Sequence, residues 1–154
     1  MKPTDWRLLG ALDRLAVAMV GITTLALAPE PGTGDLSLAQ WRTLTIVSTS
    51  PGLRSSEVAS LIGMSRPSMS RLVRLLRARG ILTVAPDPRD GRATILRPTA
   101  VGEALREQTL DRRRALISAA IVGNLRAVPD DLLLGLMALA EALEPAQPTR
   151  QPTG

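Results

Sequence analysis

Two adjoining stretches decide how this chain reads: Ser65–Gly80, SRPSMSRLVRLLRARG, and Ala85–Thr99, APDPRDGRATILRPT. In the first, Met69, Leu72, Val73 and Leu76 keep the i, i+3, i+4, i+7 spacing of one buried helix face. Ser65 is placed to cap that helix, Pro67 falls in its first turn, where a missing N–H costs nothing, and Gly80 closes it. The outer side is then Arg66, Pro67, Ser68, Ser70, Arg71, Arg74 and Arg77. From Arg66 to Arg97 there are eight arginines against two acids, Asp87 and Asp90, whereas the whole chain carries a net charge of only +5. The rest of the molecule is close to neutral, so the positive charge is concentrated on one helix and the hairpin after it. Such a surface suits a polyanion, and DNA is the first candidate.

Working outward, a shorter helix precedes this one. Ser55 is its expected cap and Ile62 its end, with Gly63 supplying the positive φ of a tight turn and Ala59 small where the two helices approach. After Gly80 the β-branched run Ile81–Val84 reads as a strand, 87–91 as a turn and Ala93–Leu96 as the returning strand. Helix, glycine turn, helix and hairpin together make a winged helix-turn-helix. In such a unit the first two turns of the second helix lie deepest in a major groove, so Ser65 to Arg71 are the candidate base readers. Ser68 and Ser70 are short donors and acceptors, and Arg66 and Arg71 can meet guanine O6/N7 or a phosphate. Arg74 and Arg77 lie further along, where phosphates are expected. Arg89, at the hairpin apex, suits a narrow minor groove. A carboxylate facing DNA would be repelled, so Asp90 is expected to pair an arginine and fix the turn, leaving Arg92 open between wing support and phosphate contact. Arg54 and Ser55 complete the DNA-binding set.

The flanks read as long helices. Thr4 can cap a helix reaching Ala28, ahead of the turn-rich EPGTGD. Ser37–Gln40 is a capping-box pattern opening a helix that places Trp41, Leu44 and Val47 or Ser48 on one face and stops at Pro51-Gly52. Pro98-Thr99 opens another helix to about Asn124, and Pro129-Asp130-Asp131 a last one ending near Glu144. The expected division is 1–34, an N-terminal dimerisation helix; 35–98, the winged lobe; 99–145, C-terminal dimerisation helices; and 146–154, a disordered Pro-rich tail. The fold class is mainly α with a small β-hairpin wing. Leu8, Leu12, Leu15, Met19, Ile22 and Leu25, widened by Leu9, Ala16 and Val20, form a stripe too broad for a helix facing a small domain. A second subunit is the simplest cover, with Trp6, Leu8, Leu12, Leu15 and the last helix's Leu132, Leu133, Leu136, Met137, Leu139 and Leu143 as the dimer interface. A dimer would also set two reading helices about 34 Å apart, one helical turn of DNA.

Composition narrows the chemistry. The 154 residues contain neither Cys nor His, a single Lys and two Trp as the only aromatics. Disulfides, thiol redox chemistry, the commonest metal ligand and the usual general base are all missing from the sequence, so no enzyme, metal or cofactor is expected. Leu15–Ala28 imitates a secretory signal with its Ala26-Leu27-Ala28 end, but Asp5 and Asp13 spoil the basic leader and the run is shorter than the ~20 residues of a membrane span. The expectation is a buried helix in a cytoplasmic protein.

Three segments, LSLAQWRTL (36–44), SSEVASLIGMSRPSMSRLVRLLRARGIL (55–82) and DPRDGRATILRPTAVG (87–102), resemble the MarR (multiple antibiotic resistance regulator) transcription factors. The Asp-x-Arg-Asp-x-Arg core with Thr99 and Gly102 behind it is the most specific part. The resemblance implies a homodimeric repressor on a pseudo-palindromic operator, released when a small ligand, often phenolic or anionic, binds between the dimerisation helices and the winged lobe. By analogy Met19, Thr23, Trp41, Arg42 and Thr45 are the nearest pocket candidates, with Trp41 also readable as a core anchor. Lacking Cys and His, the chain departs from the family's peroxide- and zinc-sensing branches, and a pocket without Tyr, Phe or His suits an apolar or aromatic ligand, or none. Two other readings stand beside this one: a winged helix docking an acidic protein partner, and an architectural DNA binder with little sequence preference.

Overall fold

The computed structural model describes residues 6–28, 36–88, 90–124 and 129–143. Among these residues the elements in chain order are α1 (Trp6–Ala26), α2 (Leu38–Thr49), α3 (Ser55–Leu61), α4 (Arg66–Ala78), β1 (Leu82–Asp87), β2 (Asp90–Pro98), α5 (Ala100–Asn124) and α6 (Asp130–Leu143). The fold is mainly helical with a two-stranded antiparallel wing. The chain divides into two compact units, 1–118 and 119–154.

Helix boundaries obey local chemistry. At α2, Ser37 and Gln40 form the reciprocal capping box: the Ser37 hydroxyl accepts from the Gln40 N–H at 3.3 Å, and the Gln40 side chain accepts from the Ser37 N–H at 2.8 Å. At α3 the cap is one residue earlier than expected. Arg54, in extended backbone, is the N-cap, and Ser55 is the first helical residue. The Glu57 carboxylate supplies the capping acceptor instead, taking the Arg54 N–H at 2.6 Å. Gly63 (φ 68°) and Gly80 (φ 66°) close α3 and α4. In each case the next residue's N–H returns to the last turn, Met64 to the Ala59 carbonyl at 2.8 Å and Ile81 to the Leu76 carbonyl at 2.9 Å. The expected Thr4 cap and the tail from 146 lie outside the described residues.

The core lies in the winged lobe. Leu44, Val47, Val58, Met69, Leu76, Leu82 and Leu96 have essentially no exposure, and Trp41, Leu53, Leu72 and Val73 surround them. Each fully buried Leu or Met contributes roughly 1.5–3 kcal/mol relative to an exposed one. The wing is longer than its sequence signals. Pairing runs from Leu82↔Pro98 to Pro86↔Thr94, then shifts register so that Asp87 faces Asp90. Residues 53–54 lie alongside β2: the Leu96 N–H donates to the Leu53 carbonyl at 3.2 Å, and Arg54 bridges to Ile95. The linker before α3 therefore anchors the wing, a pairing between residues some forty positions apart.

The start of α5 is fastened to the end of α4. The Thr99 hydroxyl donates to the Gly80 carbonyl at 2.6 Å, the Thr99 N–H donates to the Ile81 carbonyl at 3.1 Å, and the Gly102 N–H donates to the Thr99 hydroxyl at 3.0 Å. A Cβ at Gly102 would lie 2.3 Å from the Ile81 carbonyl oxygen, so only glycine allows this approach.

α1 is different in kind. Only Thr23 and Ala26 are buried along its 21 residues, and Trp6, Leu8, Leu9, Leu15, Val17, Val20 and Leu25 are exposed. By length and apolar composition it could cross a membrane, with a mean hydropathy of 1.6 over an 18-residue stretch. It carries Asp13 and Arg14 near its middle, where charges in lipid are costly. α6, described by itself, has no buried residue.

Candidate nucleic-acid interface

α4 separates two chemistries by periodicity alone. Met69, Leu72, Val73 and Leu76 are buried, as expected. Arg66, Pro67, Ser68, Ser70, Arg71, Arg74 and Arg77 are all exposed, and Leu75 joins them at 51% exposure, an apolar residue on the outer surface that the charge pattern did not single out. Ser65 is the N-cap: its hydroxyl accepts from the Ser68 N–H at 3.4 Å and donates to the Ser68 hydroxyl at 3.0 Å. Ser65 is thereby occupied in holding the helix start, whereas the Ser68 hydroxyl keeps its own proton to donate.

The wing is built around a carboxylate, Asp87, that the charge pattern gave no role. Asp87 has no side-chain exposure and accepts from Arg54 Nε at 2.6 Å. Asp90 stands 3.7 Å from Arg54 Nη1, and its Oδ1 accepts the Arg92 N–H at 3.1 Å. Asp90 thus pairs an arginine and shapes the turn as anticipated. The arginine is Arg54, 36 positions earlier in the chain. The hydrogen bond to Asp87, aided by the charges of Asp87, Asp90 and Glu57, raises the Arg54 pKa above its ordinary value. A raised basic pKa favours the charged form of Arg54 in the folded state at all working pH values. Arg54 is therefore spent on the wing, though it also borders a surface groove. Arg89 lies outside the described residues.

That groove, of about 400 Å³, lies between α3, the first turn of α4 and the wing base. Arg54, Ser55, Ser56, Ala59, Arg66, Met69, Asp90, Arg92, Ala93 and Thr94 line it. The structure therefore brings Arg54, Ser55, Arg66 and Arg92 together, with Ser56 and Thr94 as neighbours that no sequence pattern had marked. Arg71, Arg74 and Arg77 continue along the open face of α4 and do not line the groove.

The suggested ligand residues divide differently. Trp41 is buried in the core, yet its indole Nε1 has no hydrogen-bond partner among the described residues, and the same holds for Thr45 Oγ1 and Ser48 Oγ. These three sit at i, i+4 and i+7 on α2, one face of the helix. Arg42 is exposed instead. On α1 the Thr23 hydroxyl is used, donating to the Met19 carbonyl at 2.7 Å, and Met19 Sδ lies 3.8 Å from an Arg113 guanidinium nitrogen. Among the described residues no cluster of acids could hold a metal ion.

Residues 34–93, the stretch holding α2 to the wing turn, match the model of the MarR family. Over this winged segment, under half of the chain, the sequence is similar to the MarR family. No curated protein matches the chain in sequence. Among solved structures, Rv1404 from Mycobacterium tuberculosis superposes with a TM-score of 0.76 at 22% identity, covering 92% of this chain and 95% of that one. The transcriptional regulator Tm0710 from Thermotoga maritima gives 0.68 at 23% identity, covering 91% and 96%. CouR from Rhodococcus jostii RHA1, solved with p-coumaroyl-CoA, gives 0.62 at 24% identity, covering 86% and 87%. The family model matches residues 34–93, and the superposition on Rv1404 covers 92% of the chain.

Proposed function

We propose that this chain is a dimeric, sequence-specific DNA-binding transcriptional regulator of the MarR type, a repressor relieved by a small ligand, acting in the cytoplasm and without enzymatic activity. The observation that carries the reading is the two-faced α4: four apolar side chains anchor it in the core, and every arginine it carries is left outside, Arg66 at the groove by the wing base and Arg71, Arg74 and Arg77 along the open face. A helix so held presents its side chains rigidly, which major-groove readout needs. CouR, of the same fold, has been solved on a 23-mer DNA duplex. Ser68, Ser70 and Arg71 are the base readers in this proposal, and Arg74 and Arg77 hold phosphates.

The dimer is proposed from the exposed apolar faces of α1 and α6, each too extensive to be left in water. In this reading 1–34 and 99–145 are the dimerisation parts, and 35–98 is the DNA-binding lobe. The ligand-binding part rests on the unpartnered Trp41 Nε1 and Thr45 Oγ1, buried polar groups that a ligand oxygen would satisfy. Selection of bound sequences from a random duplex pool tests the whole proposal. Enrichment of a palindromic consensus bound two protomers at a time is the expected result. No enrichment, with weak and uniform binding, would refute sequence-specific regulation.

A further inference from the structure

The groove at the wing base has a charge arrangement of its own. Among the described residues Arg66 and Arg92 make no ion pair, whereas Arg54 is engaged by Asp87 and Asp90. Both oxygens of Asp90 already face donors, the Arg92 N–H at 3.1 Å and the Arg54 guanidinium at 3.7 Å. Asp87, Asp90 and Glu57 all act on Arg54. Arg66 and Arg92 are therefore the cations of the lining left for an anion. Ser55 and Ser56 add hydroxyl donors on the α3 side. A flat base edge would be met by the outer face of α4. A concave site lined by two arginines from different elements fits a tetrahedral anion.

Resting on the DNA-binding reading, we propose that this groove seats a single backbone phosphate of the duplex, held jointly by Arg66 and Arg92 with the hydroxyls of Ser55 and Ser56. Arg66 is then a phosphate ligand and not a base reader, and the ambiguity of Arg92 resolves the same way. The shared phosphate ties the start of α4 to the wing through the DNA itself. It sets how deeply the helix sits while the wing reaches the neighbouring minor groove. Arg54 acts one step back, as a positioning residue that keeps Asp90, and with it the Arg92 backbone, in place.

The test uses the full-length protein, a duplex selected from a random pool and an unrelated duplex of the same length. Arg66→Ala and Arg92→Ala are each expected to weaken binding to both duplexes by a similar factor and to leave the selected consensus unchanged. Melting temperatures are expected to stay at the wild-type value, since neither side chain has an ion-pair partner to lose. The slope of log K against log salt is expected to fall by about one per protomer in either single variant, and by about one, not two, in the double variant. Methylphosphonate replacement, one phosphate at a time, identifies the contact: a single neutralised phosphate per half-site should abolish the effect of both substitutions. The groove assignment is overturned if the two arginines answer to different phosphates, if the double variant loses about two in slope, or if Arg66→Ala changes the preferred base at one position. It is also overturned if inorganic phosphate displaces the duplex beyond its ionic-strength effect, for that marks a free-anion site. A wild-type protein that binds neither duplex would instead remove the DNA reading itself.

Discussion

Leu76 on α4 and Leu136 on α6 are the same side chain in the same kind of secondary structure, yet Leu76 has no exposure and Leu136 is 42% exposed. The difference runs through the regions around them. In the winged lobe every apolar position of the α4 stripe meets a neighbour from α2, α3 or the wing, and the core closes within one chain. In α6, described by itself, the stripe is at least as apolar and no residue is buried. Periodicity states that a face must be buried, without stating by what. The lobe supplies its own answer, whereas the apolar faces of α1 and α6 stay exposed.

Substitutions at four positions can break or sharpen that contrast. Leu136→Arg should have the largest effect if a second copy covers α6, because an uncompensated charge in that interface costs about 3–5 kcal/mol of association. Light scattering should then report a monomer, and a variant still dimeric would remove Leu136 from the interface. Leu76→Ala should cost about 2–5 kcal/mol of folding stability by denaturant titration, with dimerisation itself little changed. A loss below about 1 kcal/mol would mean the lobe is not closed around this residue. Arg71→Ala should leave the fold intact and weaken binding to a selected duplex by about 1–3 kcal/mol, relaxing preference at one base pair. Equal losses on selected and unrelated duplexes would move Arg71 from base reading to phosphate contact. Ser65→Ala should cost about 1 kcal/mol of stability through the lost cap. Ser65→Gly should recover most of it, and a loss of DNA affinity persisting in the glycine variant would show that the hydroxyl also touches DNA.

Much of the lobe was legible because its signals are local. The Ser37–Gln40 box, the Ser65 cap and the glycines at 63 and 80 each solve a problem set within four or five residues, and each sits where the sequence placed it. The exposed row of arginines on α4 comes from helical period in the same way. The α3 cap was misplaced by one residue because a serine looks like a better cap than an arginine. The deciding group was Glu57, three residues on, together with the pairing of 53–54 against β2. The wing ran longer than its β-branched segments for a related reason, since Pro86 and Pro98 sit at paired positions that composition argues against.

By itself the chain's order of residues determined which faces are apolar, where α2 and α4 begin and end, and that the positive charge gathers between positions 66 and 97. Those properties depend on neighbours a few residues away, and so they survive without a fold. Only the tertiary structure decided that Arg54 belongs to Asp87, that residues 53–54 border the wing, and that Arg66 and Arg92 open onto one groove. Contacts between residues 33 to 43 positions apart depend on how elements pack, and a guanidinium chooses between a carboxylate and a phosphate only once packing has set what lies within its reach.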